Sequence, residues 1–109
     1  MITVTIYKDQ LGHYQGFQTN GHAGSAEYGK ALICASVSML IINTINSMDS
    51  LLHEPFSCKE NEKSGMIQLD FKQIPSEGSR ILMDAMVLGL NEVKHQYGKK
   101  YILLKFEEV

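Results

Sequence analysis

His22 and Cys34 stand twelve residues apart in the run GHAGSAEYGKALICASVS, residues 21–38. An imidazole and a thiol together make a base and a nucleophile. A cysteine attacks as its thiolate, and a free thiol ionises near a pH of ~8.5. Three features of this run would favour the thiolate. His22 could take the proton or, as imidazolium, sit beside the sulfur. A helix starting near Gly29 or Lys30 would put Cys34 in its first turn or just beyond, where free N–H groups favour negative charge. Lys30, four residues before the cysteine, acts in the same direction. The free N–H groups could also hold the oxyanion of a tetrahedral intermediate. Glycines at 21, 24 and 29 let the chain bend, and they suggest a flap that a peptide could displace or order.

A packing role stands beside the catalytic one. Free cysteine is among the most buried residue types, and Ile33, Ala35 and Val37 surround Cys34. His22 alone would suit a turn or a cap. The remaining candidates are weaker. Cys58 falls in an expected strand and reads as half-buried. His13 and His53 fall in turn or helix-end positions. His95 suits the negative end of a helix. The histidines and cysteines lack the short paired spacings of a zinc site. Ser36 and Ser38 read as small helix-packing residues, and there is no GxSxG and no phosphate-binding glycine loop. No cofactor is expected.

The scaffold for this pair is a single domain over residues 1–109, of ordinary domain size. The chain is 44% hydrophobic and 20% charged, the balance of a compact globular protein. Its net charge of −2 argues against direct nucleic-acid binding. Met1–Gln10 lacks the continuous apolar run of a signal peptide. The longest apolar run, Val37–Ile42 with Ser38 inside it, is far short of a membrane span, so a cytoplasmic location is expected. Two cysteines in such a chain are expected to stay reduced.

Ile2, Val4 and Ile6 alternate with Thr3, Thr5 and Tyr7, which predicts a first strand. Residues 9–12 read as a turn and 14–20 as a second strand, placing His22 at a strand end. A long helix is predicted over 30–52, apolar on nearly every face in its first half. Such a helix would pack on the sheet with one face and on a second helix or a second subunit with another. Strands follow at 56–60 and 66–72, around a turn at 61–65. Ser76 is a candidate N-cap for a second helix, with a stripe through Leu82, Met86, Gly89 or Leu90, Val93 and Tyr97. Gly98 would stop it, and residues 101–107 make a last strand. The order ββαββαβ predicts an α+β, two-layer α/β sandwich with a mixed, mostly antiparallel sheet and two helices.

The run 21–38 resembles the signature of Prp, the ribosomal-processing cysteine protease family of Firmicutes and related bacteria. The matching elements are Gly21-His22-Ala23, Glu27-Tyr28-Gly29 and Cys34-Ala35-Ser36-Val37-Ser38. Length and element order agree over nearly the whole chain. The resemblance implies Cys34 as nucleophile and His22 as base. Gly21, Ala23, Gly24, Glu27, Tyr28, Gly29 and Ser38 would then form the flap or touch substrate. It implies a homodimeric peptidase that removes a short N-terminal extension from a large-subunit ribosomal protein. One position departs. The family usually carries an aspartate three residues before the cysteine, where this chain has Ala31. Glu27 is the nearby carboxylate that could substitute. The alternative function is therefore an impaired module that binds the ribosomal protein without cutting it.

Overall fold

The computed structural model describes residues 1–21, 28–97 and 99–109, the side chains of 28–30 excepted. Its elements follow the expected order: β1 (Ile2–Lys8), β2 (Tyr14–Asn20), α1 (Tyr28–Ser50), β3 (Phe56–Asn61), β4 (Met66–Phe71), α2 (Glu77–Tyr97) and β5 (Ile102–Glu108). The five strands form one sheet in the order β3-β4-β2-β1-β5. β1 and β5 run parallel, with Ile2 opposite Ile102. The other three pairings are antiparallel. The sheet is mixed and mostly antiparallel, and both helices pack on one of its faces.

Alternation in the strands builds the core. Ile2, Val4 and Ile6 are buried and share a face with Phe17 and Leu69, their cross-strand neighbours. On α1 the stripe Ile33, Val37, Ile41, Thr44 and Met48 is buried at steps of three or four residues. Residues 31–50 are long and apolar enough to cross a bilayer by length and composition, with mean hydropathy 1.6. Here that stripe is spent on the core beneath the sheet. α2 contributes Ser79, Met83, Met86 and Leu90. Its buried stripe is shifted from the expected one: Leu82 is only half-buried and Tyr97 is exposed. The opposite sheet face is polar, with Gln18 bonded to Gln68 and Gln68 to Asp70.

The ends of the elements are set by local hydrogen bonds. Asp9 Oδ1 accepts from the N–H groups of Leu11 and His13, fixing the β1–β2 turn. His13 is only partly exposed and contacts the same carboxylate. α1 ends where the exposed His53 takes a left-handed conformation, φ 51°, and donates to the Asp49 carbonyl at 3.1 Å. Ser76 is the N-cap of α2, its Oγ accepting from Ser79 N–H at 3.2 Å.

Glu54 locks these two helix ends together. Its buried Oε1 accepts from the Ser76 N–H at 2.8 Å, across the gap between the end of α1 and the start of α2. Burial raises this carboxyl, but the nearby Ser79 hydroxyl and the Ser76 N–H and hydroxyl outweigh it and hold it below its ordinary value. A carboxyl depressed in this way contributes stability above its unfolded-state pKa and loses it as pH falls through the folded value. Glu54→Gln is expected to lower stability at neutral pH by about 1 kcal/mol. The difference from the parent should vanish once acid protonates Glu54, below the ordinary glutamate range. Urea unfolding across a pH series measures both.

Candidate active site

The residues around Cys34 come from four separate elements. β1 supplies Ile2. The end of β2 supplies Thr19 and Gly21. α1 supplies Cys34, Val37, Ser38 and Ile41. The β3–β4 hairpin supplies Glu60, Asn61 and Glu62 on one side of its turn and Gly65, Met66 and Ile67 on the other. Together they line a groove of about 240 Å³. Its floor is apolar and its outer lip is acidic.

Local geometry explains why these elements meet. Thr19 lies opposite both Val4 and Ile67, so its side chain is on the helix-bearing face. Glu60 also lies opposite Ile67 and shares that face. The Gly21 N–H donates to the Ser64 carbonyl at 3.1 Å, tying the end of β2 to the hairpin turn. Asn61 Oδ1 accepts from the Lys63 N–H at 3.0 Å and shapes that turn. Cys34 is half-buried beside the fully buried Ile33 and Val37. Its Cβ tilts toward the start of α1, as every helical Cβ does. The sulfur is therefore neither sealed in the core nor free on the surface.

The expected site residues divide. Cys34, Ser38 and Gly21 come together in the groove. Tyr28 and Gly29 form the first turn of α1. His22, Ala23, Gly24 and Glu27 lie outside the described residues. Among the described residues the helix is already formed at Tyr28, so Cys34 lies just beyond the turn made by residues 28–31, within the range expected for it. Cys58 is exposed rather than half-buried, because β3 is an edge strand and its residues stand beyond the helices. Its thiol is pushed up by desolvation and by Glu60 and Asp70, which disfavours a reactive thiolate there. Among the described residues no cluster of three or more His, Cys, Asp or Glu could hold a metal ion.

Thr19, Glu60, Glu62 and Met66 were not singled out by the sequence. Only the alternation in β2 carried a hint: Thr19 falls on the same parity as Phe17, which makes it an inward hydroxyl. The acidic lip had no local signal, since only the β2–β4–β3 pairing carries it to α1.

A half-buried cysteine on a helix, at the edge of a groove, suits a thiol nucleophile. Comparison with known proteins agrees. The family model described as cysteine protease Prp matches residues 1–102. The chain belongs to this family and is a cysteine protease. It is 22% identical over 99 residues to the ribosomal processing cysteine protease Prp of Staphylococcus aureus, covering 91% of this chain and 93% of that one. It is 25% identical over 101 residues to the protein of that name from Bacillus subtilis, covering 89% and 90%. The fold superimposes on the S. aureus protease in complex with a substrate peptide with a TM-score of 0.89, at 21% identity, covering 98% of this chain and all of the other. A crystal structure from Streptococcus mutans gives a TM-score of 0.88 at 27% identity, covering 100% and 96%.

Proposed function

We propose that this chain is a cytoplasmic cysteine endopeptidase that removes a short N-terminal extension from a large-subunit ribosomal protein. The observation that carries the reading is the groove itself, which sets Cys34 against an apolar floor open to an extended peptide. In the proposed reaction His22 takes the thiol proton and the Cys34 sulfur attacks the scissile carbonyl. The oxyanion is held by main-chain N–H groups at the start of α1. The amine leaves with the proton, and water then hydrolyses the thioester. The S. aureus relatives, solved with a substrate peptide and with a covalently linked product peptide, support a peptide substrate. The test incubates the protein with the extended ribosomal protein and weighs the products. Loss of one short N-terminal segment is expected, and an unchanged mass sinks the reading.

The active form is proposed to be a homodimer. Leu32, Met39 and Ile42 are exposed at spacings that place them on one outward face of α1. Sedimentation equilibrium should give twice the chain mass.

Ala31 supports a second reading, a binder with impaired catalysis. It is exposed and lies one turn before Cys34 on the same side of α1. A carboxylate fits there without burial. Ala31→Asp is expected to raise kcat/KM by about tenfold if it restores positioning of the site. Stability should stay within about 0.5 kcal/mol, since the helix-propensity loss and the N-terminal charge gain nearly cancel. A parent that binds the ribosomal protein without cutting it, and a variant that cuts it, would establish the second reading.

A further inference from the structure

The whole-chain charge of −2 conceals an uneven distribution. Residues 93–106 hold four of the ten lysines and arginines and none of the twelve acids, so this stretch carries +4 and the rest of the chain −6. The structure gathers most of that charge at one end of the molecule. Lys94 and His95 lie in the last turn of α2, and Lys99 and Lys100 in the turn that leads to β5. Chain geometry keeps the Cα atoms of Lys94 and Lys100 within about 16 Å of each other. Lys99 and Lys100 are exposed and Lys94 is half-buried, and none of the three forms an ion pair among the described residues. Lys105, the fourth lysine, faces Glu107 at 3.7 Å instead. Glu92, the nearest acid along α2, accepts from the Gln96 amide at 2.9 Å. Cations in a last turn complement the helix C-terminus. That accounts for Lys94 but not for Lys99 and Lys100, which lie past the end of the helix. Aromatic rings interleave with these cations in the run KHQYGKKY, residues 94–101. Tyr97 is 44% exposed, and the Lys100 Nζ stands 5.0 Å from the centre of the Tyr101 ring.

We infer that the end of α2 and the turn after it bind a single nucleic-acid strand. Lys94, Lys99 and Lys100 contact its phosphates, and a base stacks on the exposed Tyr97 ring. Charge alone would fit any polyanion. The ring decides between them, because every base of a single strand offers a π-face and an acidic peptide offers none. The whole-chain charge argues against a large basic footprint, not against a site for three phosphates. Its consequence is a modest affinity that falls steeply with salt. This surface adjoins the groove without being part of it: the Tyr101 carbonyl accepts from the Ile2 N–H at 2.9 Å, and Ile2 lines the groove. A strand held here would lie beside a peptide held there. Binding of the strand does not depend on the function proposed above, since none of its residues takes part in the chemistry at Cys34.

The test titrates a fluorescein-labelled decauridylate RNA with the protein and follows fluorescence anisotropy across a salt series. A dissociation constant of about 10⁻⁵–10⁻⁴ M is expected at low salt, with log K falling against log salt at a slope near −2, about 0.7 for each phosphate contact of a single strand. Lys99→Gln combined with Lys100→Gln should weaken binding about tenfold or more and bring the slope to about −0.7. Tyr97→Leu keeps an apolar side chain at the end of α2. It should weaken binding about tenfold while leaving the slope unchanged. Residues that serve only to stabilise the helix end would show no such division between affinity and salt slope. A labelled decaglutamate peptide carries comparable charge without bases and is expected to bind about tenfold more weakly or worse. Equal binding of the two probes, tighter binding to anionic lipid vesicles than to the RNA, RNA binding that Tyr97→Leu leaves unchanged, or no RNA binding overturns the inference. RNA binding of the expected kind by a protein that leaves the ribosomal protein uncut keeps the inference and rejects the proposed function.

Discussion

Cys34→Ala is expected to lower cleavage of the extended ribosomal protein by about 10⁴–10⁶-fold, the scale on which a nucleophile is lost. The fold should barely respond. Cys34 is half-buried on α1, next to a stripe whose core positions are Ile33 and Val37. Removing one sulfur from that position costs about 1 kcal/mol or less, and alanine is the better helix former. Mass spectrometry of the products and a thermal melt on the same sample separate the two effects. Cys58→Ala is the matched control. Its side chain is exposed on the edge strand β3 and does not line the groove, so activity should be unchanged. Full activity in the Cys34 variant, or its loss in the Cys58 variant, would remove Cys34 from the role of nucleophile. The design discriminates because the chain has only these two thiols.

How far such a site can be read from the sequence depends on the range of the interactions that build it. Signals confined to a few residues were legible. The alternation of Ile2, Val4 and Ile6 located β1 and its inward face. Ser76 was recognisable as an N-cap because its partner, Ser79, is three residues away. The spacing of His22 and Cys34 suggested a thiol site; Cys34 lines the groove, and His22 lies outside the described residues. Features that depend on long-range pairing were not legible. The parallel match of β1 with β5 joins the two ends of the chain, and no local pattern encodes it. β3 became an edge strand only because β4 pairs with β2, and that left Cys58 in solvent. The same pairing carried Glu60 and Glu62 to the mouth of the groove.

Gly21→Ala is expected to damage activity far more than stability. Gly21 has φ +91°, and a Cβ built there would overlap the Met1 carbonyl oxygen. An L-residue in this conformation costs about 1–3 kcal/mol, part of it relieved if Met1 gives way. For a domain of this size the melting temperature should fall by roughly 5–15 °C. The larger consequence is positional. Gly21 holds the end of β2 against Ser64 and immediately precedes His22 in the chain. A shift of about 1 Å at a reacting group can cost 10²-fold in rate, and a loss of kcat/KM of that order is expected here. Gly12→Ala supplies the comparison. Gly12 has a similar φ of +85°, but a Cβ there meets nothing within 4 Å, and the turn does not line the groove. It carries similar backbone strain without touching the site. Its melting temperature should fall by a comparable or smaller amount, while its kcat/KM stays within twofold of the parent. If the two alanine variants lost activity equally, the glycine before His22 would be a folding requirement alone. If only Gly21→Ala lost it, the left-handed turn at the end of β2 would be the element that aims the histidine at the cysteine.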